Sequence, residues 1–261
     1  MKTDNLDKQK LFIVGCGIKF LSHLTQEVKL LIENADCVAY LVNEPATKKW
    51  INENCRNPYS LDGLYFDQNK RKDVYKAISS EVIRQSKMFK TTCFVTYGHP
   101  FFLSNAARNI VSEIEKNHCD IKVESLPGIS SLDVLFSDLR VDPSFGGMQA
   151  IEATEYLNKK IIINKSSHIV IWQVGVVGVT NIINDEIELE QSNEKREAIR
   201  ALKHLLLETY TPDKSIILYV ASMYQSIQPE IIELELKDLD KVFIPRLATM
   251  YISPPTSRAG D

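Results

Sequence analysis

The side chains that invite a chemical reading are Tyr59, Tyr65, Arg71 and Tyr75, four polar-tipped groups within seventeen positions. Arg71 and Tyr75 are four apart and share one face if the segment is helical. A guanidinium and a phenol are both hydrogen-bond donors suited to negative charge. Spacing alone leaves two readings open. The group is a surface aromatic-arginine patch, or it is a polar face turned into a cleft beside the apolar stripe that includes Val74. A second set of candidates consists of three glycine-containing turns: Val14-Gly15-Cys16-Gly17, Tyr97-Gly98-His99-Pro100 and Leu126-Pro127-Gly128-Ile129-Ser130-Ser131. Glycine in a turn permits positive φ and close approach of a ligand to the backbone.

These turns need elements to hold them. The apolar run Leu11 to Val14 ends at Gly15, and Val28, Leu31, Ile32 and Ala35 then recur at helical spacing. Cys37 to Val42 reads as a strand. Val74, Ile78 and Val82 line one face of a helix that ends near Phe89, and Thr92 to Thr96 is the next strand. Ser104 is a candidate N-cap for a helix with Ala107, Ile110, Val111 and Ile114 on its buried face. Ile121 to Leu126 is a further strand, and Ser130 with Asp133 is a capping-box signature for a helix carrying Leu132, Leu135, Phe136 and Leu139. This alternation predicts an α/β domain with a mostly parallel sheet and helices on both faces. Such sheets bind ligands beyond the carboxyl ends of their strands, so the three turns are expected on one rim, making a ligand cleft.

Asp142-Pro143 and Phe145-Gly146-Gly147 punctuate the chain, and a domain boundary is expected there, with 1–146 as the first domain and 147–261 as a second, mixed α/β domain. Strand candidates at 168–175, 215–221 and 242–251 accompany one helix carrying Ala198, Ile199, Leu202, Leu205 and Leu206. Antiparallel pairs are expected in this half.

Composition excludes several classes. A formal charge of −3, from 31 basic and 34 acidic residues, supplies no field to hold a polyanion, so nucleic acid is not an expected partner. The run Lys70-Arg71-Lys72 is too short to alter this and reads as a solvated helix start. Five cysteines, an odd number without a CxxC pair, argue against a disulfide framework or zinc ribbon and for a reducing compartment. The five histidines lack metal-ligand spacing, and no metal is expected. The longest apolar run, 169–179, contains Gln173 and is far short of the roughly 20 residues of a membrane helix. Neither secretion nor a membrane partner is expected, and the location expected is cytoplasmic. Gly15-x-Gly17 is an incomplete dinucleotide fingerprint, because Phe20 stands where the third glycine belongs, although Asp36 lies near the distance of the ribose-binding acid.

Taken in order, Ile13-Val14-Gly15-x-Gly17, Tyr97-Gly98-His99-Pro100 and Leu126-Pro127-Gly128-Ile129-Ser130-Ser131 resemble the opening loop, the G-[DNH]-P turn and the PGIS turn of the tetrapyrrole methylase superfamily. The likeness extends over essentially the whole chain. Precorrin and cobalt-precorrin enzymes of that superfamily usually carry Asp or Asn before the proline where this chain has His99. The pattern Tyr-x5-Arg-x3-Tyr at Tyr65, Arg71 and Tyr75, the YGHP turn, and Ser130 to Leu139 with Asp142-Pro143 resemble instead the borosin peptide backbone α-N-methyltransferases.

The resemblance implies a two-domain fold with a cofactor cleft between the domains, S-adenosylmethionine as methyl donor and S-adenosylhomocysteine as product. It places catalysis on Tyr65, Arg71 and Tyr75. Cofactor contacts fall on Tyr97, His99, Phe102 and Ser130 in the first domain and on Gln173, Ala221, Ala248 and Thr249 in the second. A homodimer is implied as well. In fused borosin members the enzyme continues into its own substrate peptide. With Thr256 to Asp261 as its last residues, this chain is expected to belong to a split system, iteratively methylating a separate precursor peptide. The alternatives are a C-methyltransferase acting on a corrin precursor and a peptide-binding scaffold without catalysis. A polyanionic corrin substrate calls for a strongly basic cleft, for which only Lys70-Arg71-Lys72 is a candidate, and the intact Tyr65, Arg71 and Tyr75 speak against a scaffold.

Overall fold

A computed structural model describes residues 8–66, 70–118, 120–183 and 185–255. The chain divides into two compact units. The first runs up to Val134 and takes back Ser222–Ile227; the second comprises Leu135–Ala221 and the chain from Gln228 onward.

In the first unit β1 (Gln9–Gly15), α1 (Gln26–Asn34), β2 (Cys37–Leu41), α2 (Pro45–Asn54), β3 (Pro58–Ser60) and α3 (Asp62–Phe66) follow one another. Then come α4 (Arg71–Met88), β4 (Thr91–Thr96), α5 (Asn105–Asn117), β5 (Ile121–Leu126) and the start of α6 (Ser131–Leu139). The strands form one sheet in the order β3-β2-β4-β1-β5, and every pair is parallel. Helices cover both faces because the strands are apolar on both, as parallel strands must be. Phe12 and Val14 of β1 pack with Val28, Ile32 and Ile51 from α1 and α2. Leu11 and Ile13 alternate to the opposite side, and α4, buried through Val74, Ile78 and Val82, packs on β1, β2 and β4.

The expected caps are present. Ser104 Oγ accepts from Ala107 N at 3.4 Å, and Ser130 with Asp133 forms a reciprocal box in which Asp133 Oδ2 accepts from Ser130 N at 2.7 Å.

The second unit holds β6 (Met148–Glu152), α7 (Ala153–Lys159), β7 (His168–Trp172), α8 (Glu186–Gln191), α9 (Asn193–Leu207), β8 (Ser215–Val220), β9 (Glu230–Glu235) and β10 (Thr249–Ile252). Its sheet has the order β6-β7-β10-β8-β9, parallel only between β6 and β7. Ile169, Ile171, Leu218 and Met250 pack on Tyr156 of α7 and on Ile199, Leu202 and Leu206 of α9.

The two units divide at Val134–Leu135, inside α6, and within the second Tyr219 donates to Asp138 Oδ2 at 2.6 Å. Two expectations need adjustment. The strand expected over 168–175 stops at Trp172, because Gln173 adopts φ 60° and ψ 29° and a 3-10 turn, Val174–Val176, follows. The strand expected over 242–251 begins only at Thr249. Pro245 interrupts it, and Ala248 N turns back to donate to Pro245 O at 2.9 Å.

The interior of the second unit makes a simple demand on stability. Leu202 is fully buried, so Leu202→Ala should cost roughly 2–5 kcal/mol and lower the thermal unfolding midpoint. Leu30 is half exposed, and Leu30→Ala should stay within about 0.5 kcal/mol of wild type in the same melting experiment.

Candidate functional site

The three glycine turns meet. β4, β1 and β5 are consecutive in space, with Gly15 registered to Thr96 and Val14 to Leu126, so their carboxyl ends lie side by side. Cys16 N donates to Thr96 O at 2.9 Å, and Gly17 and Gly98 form a two-hydrogen-bond bridge at 3.2 and 2.9 Å. A Cβ built on Gly15 lies 2.1 Å from Gly98 O, and one built on Gly128 lies 2.4 Å from the same oxygen. Neither position admits a side chain. Gly98 has φ 71°, and a Cβ there would meet only Ile18 Cδ1 at 3.4 Å, so the middle turn presents bare backbone. That surface fits a cofactor held largely by main-chain groups.

The four residues assigned to this rim lie on it. Tyr97 follows β4 directly, and its phenol is pushed well above its ordinary range by burial, with smaller contributions from Cys16 and Glu44. His99 Nδ1 accepts from Phe101 N at 3.2 Å, so a neutral ring carries its proton on Nε2. His99 O accepts from Phe102 N at 3.1 Å. Ser130 is buried at the start of α6, with its hydroxyl donating to Asp133 Oδ2 at 2.6 Å.

The other four candidates form a row at one end of the second sheet. Met250 is registered to Ile171 and Thr249 to Tyr219, so Gln173 after β7, Ala248 and Thr249 at the start of β10, and Ala221 after β8 share that end. Val174 N donates to Ala248 O at 3.2 Å, joining the first two across the sheet. Gln173 is held in the left-handed region, a conformation that costs a non-glycine residue about 1 kcal/mol or more. Its amide is half-buried rather than spent on an N-cap hydrogen bond.

Tyr65, Arg71 and Tyr75 are brought together by a helix pair. Tyr65 is in the last turn of α3, Arg71 opens α4, Tyr75 is one turn on, and α3 packs against α4. The Tyr75 phenol is raised by burial first and by Tyr65 second, while Arg71 lowers it, so all three share one electrostatic neighbourhood. Lys70 and Lys72 are exposed, as a solvated helix start requires, but Arg71 turns in: its Nε is buried and has no hydrogen-bond partner among the described residues. Tyr59 does not join them. Its hydroxyl pairs with Glu81 and Arg84, further along α4.

Sequence reading missed Glu44 and Tyr224. Glu44 caps α2, accepting from Ala46 N at 2.7 Å and from Thr47 N at 2.5 Å, and it also accepts from Tyr224 Oη at 2.6 Å. The local signal was Glu44-Pro45 directly after a strand, an N-cap followed by proline at N1. Nothing local could pair it with Tyr224, 180 positions on. No group of three or more His, Cys, Asp or Glu among the described residues could hold a metal ion, and no described helix is long and apolar enough to cross a membrane.

Comparison with known proteins agrees with this geometry. Residues 10–250 match the family model of the tetrapyrrole (corrin/porphyrin) methylases. The chain therefore belongs to the tetrapyrrole methylase family and has the S-adenosylmethionine-dependent methyltransferase fold of that family. Among curated relatives it is 33% identical over 264 residues to a methyltransferase/ribosomally synthesized type I borosin cyclic peptide precursor of Coprinopsis marcescibilis, covering 98% of this chain and 65% of the relative. It is 30% identical over 251 residues to a type II counterpart of Phlebiopsis gigantea, covering 94% of this chain and 43% of the relative. The chain thus spans between two fifths and two thirds of the length of these two relatives. Among solved structures, a uroporphyrin-III C-methyltransferase of Thermus thermophilus superimposes with a TM-score of 0.65 at 14% identity, covering 94% of this chain and 92% of that one. A structure of the Thermus enzyme complexed with S-adenosyl homocysteine gives 0.61 at 12% identity, over 94% and 92% of the two chains. These likenesses speak to the fold.

The strain at Gln173 is open to measurement. Gln173→Gly relieves a left-handed backbone that costs a side chain about 1–2 kcal/mol, against about 0.5–1 kcal/mol of extra chain entropy lost by glycine, and should raise the unfolding midpoint slightly. An unchanged or lower midpoint would mean that the Gln173 side chain contributes more to the fold than its backbone costs.

Proposed function

We propose that this protein is an S-adenosylmethionine-dependent methyltransferase that iteratively N-methylates backbone amides of a separate precursor peptide, with S-adenosylhomocysteine as product. The observation that carries the reading is the trio Tyr65, Arg71 and Tyr75, with a buried guanidinium nitrogen that has no partner within the described protein. A buried donor left unmatched costs about 1–3 kcal/mol, and a substrate oxygen is the partner that offsets it. The kind of substrate is suggested by the relatives, which are named as borosin cyclic peptide precursors. In this proposal Tyr97, His99, Phe102, Ser130, Gln173, Ala221, Ala248 and Thr249 hold the donor, which when bound supplies an electrophilic methyl group. The same reading includes a homodimer and a cytoplasmic setting.

The chemical task is to make an amide nitrogen react. Its lone pair is delocalised into the carbonyl, the resonance that keeps the peptide planar, so methylation needs an imidate-like state with charge on oxygen. Arg71 is suited to stabilise that charge as a fixed donor. Tyr75 suits the same role, because burial keeps its proton on well past neutral pH. The amide proton is then relayed to solvent through Tyr65, the other phenol in the neighbourhood of Arg71.

Methylation of a corrin precursor remains the second reading, favoured by the description of the matching family. Incubation with S-adenosylmethionine and a candidate precursor peptide, followed by mass spectrometry, separates the two. Peptide mass should rise in single-methyl steps; gains on a tetrapyrrole and none on peptide would overturn the proposal. Arg71→Lys should lower peptide turnover by about 10²–10³ with donor affinity near normal, since an ammonium cannot replace a planar fork. Full turnover by that variant would remove Arg71 from the chemistry.

A further inference from the structure

Glu44 is the only carboxylate buried outright among the described residues. The other ion in that class, Lys195, is paired with Glu190. Glu44 is treated differently: its four hydrogen-bond partners are the Ala46 and Thr47 amides, the Thr47 hydroxyl at 2.8 Å and the Tyr224 hydroxyl, all neutral. Among the described residues no lysine or arginine neutralises it. Burial pushes the carboxyl up, and the bonds from Tyr224, Ala46 and Thr47 outweigh that, so it remains ionised at neutral pH. The dipole of α2 favours the anion at this cap. Capping alone does not require burial, because a solvated Asp or Ser caps a helix equally well.

Position gives the charge a role. Leu41 is registered to Thr96, so the turn carrying Glu44 leaves β2 on the rim where Tyr97 and Gly98 leave β4 and Gly15 to Gly17 leave β1. The returning segment Ser222–Ile227 is fixed to the same rim. Met223 O accepts from Phe20 N at 2.9 Å, and Tyr224 closes over the Glu44 carboxylate at 2.6 Å. The field of Glu44 reaches groups on that rim. Cys16 is pushed up to about 12, mainly by burial, with Glu44 adding to the shift, and Glu44 contributes to Tyr97 in the same direction.

We infer that Glu44 is a specificity-determining residue: its buried carboxylate, unmatched by any cation among the described residues and latched by Tyr224, makes the rim favour the cationic sulfonium of S-adenosylmethionine over the uncharged sulfur of S-adenosylhomocysteine. A buried anion without a counter-ion is costly, and a cationic ligand supplies one. Transfer of the methyl group removes the positive charge from sulfur, so the same residue that draws the donor in releases the product. The inference rests on the donor proposed above.

Calorimetric titration of the full chain with each ligand separately tests it. Glu44→Gln should weaken S-adenosylmethionine binding by about tenfold while S-adenosylhomocysteine changes by less than about threefold. Glu44→Asp and Glu44→Asn form a second pair of near-equal caps that differ in charge. Asp should keep the wild-type ratio of the two affinities and Asn should lose it, so the result does not depend on Gln folding. Tyr224→Phe leaves the charge in place and should keep the ratio as well. Equal loss of both ligands in the uncharged variants, or no change in either, overturns the inference and leaves the donor assignment standing. Wild-type protein that binds neither ligand defeats the donor assignment itself, and this inference with it.

Discussion

One carbonyl oxygen sets the limits on the first unit. Gly98 O sits where a Cβ on Gly15 would come within 2.1 Å and a Cβ on Gly128 within 2.4 Å. Three strand ends converge on it only if β4, β1 and β5 keep their register, and that register is fixed by the buried residues of β1, Leu11, Ile13 and Val14. A slip of one residue would turn the apolar side chains of β1 to the wrong faces, and a slip of two would part the turns. Core packing and the bare-backbone rim are therefore one constraint: the interior decides where the chain may approach a ligand without side chains.

The sequence disclosed those elements whose signals are local. Ser104 and Ser130 with Asp133 announced two helix starts because capping is a matter of three or four neighbouring residues. β1, β2 and β4 stood out as apolar runs, and β1, β4 and β5 by the glycine turns that follow them. The segment from Pro45 to Phe66 was silent, because α2, β3 and α3 are short and rich in Asn, Lys and Tyr, and their order comes from packing on β2 and α4. β9 was missed for another reason: in Glu230 to Glu235 the adjacent Ile231 and Ile232 break the alternation of an edge strand, so the period is masked. The return of Ser222–Ile227 to the first unit was not legible, since it depends on Phe20 and Glu44, far away in sequence.

The candidate site divides in the same way. The glycine turns and the spacing of Arg71 and Tyr75 were visible as types and intervals. What could not be read was direction. Arg71 lies between two exposed lysines, and a run of three cations at a helix start looks like a solvated face; only the packing of α3 on α4 turns the guanidinium inward. Tyr59 shows the converse, a phenol of the right type near the right place that the fold commits to Glu81 and Arg84.

Backbone strain and electrostatic cost discriminate further. Five described non-glycine residues have positive φ: Leu21, Leu103, Arg140, Lys160 and Gln173. Lys160 closes α7 and Arg140 directly follows α6, and a left-handed residue there ends a helix by satisfying its last carbonyls. Gln173 has no such duty, since it follows a strand. Arg71 is similar: a cation in the first turn of α4 opposes the helix dipole, and its buried Nε has no hydrogen-bond partner among the described residues. Glycine at 173 or a neutral residue at 71 would relieve these costs without disturbing either core. Costs that a single substitution would remove, in a fold otherwise locally consistent, mark positions held by a requirement other than folding. Both are residues that the sequence also marks for chemistry.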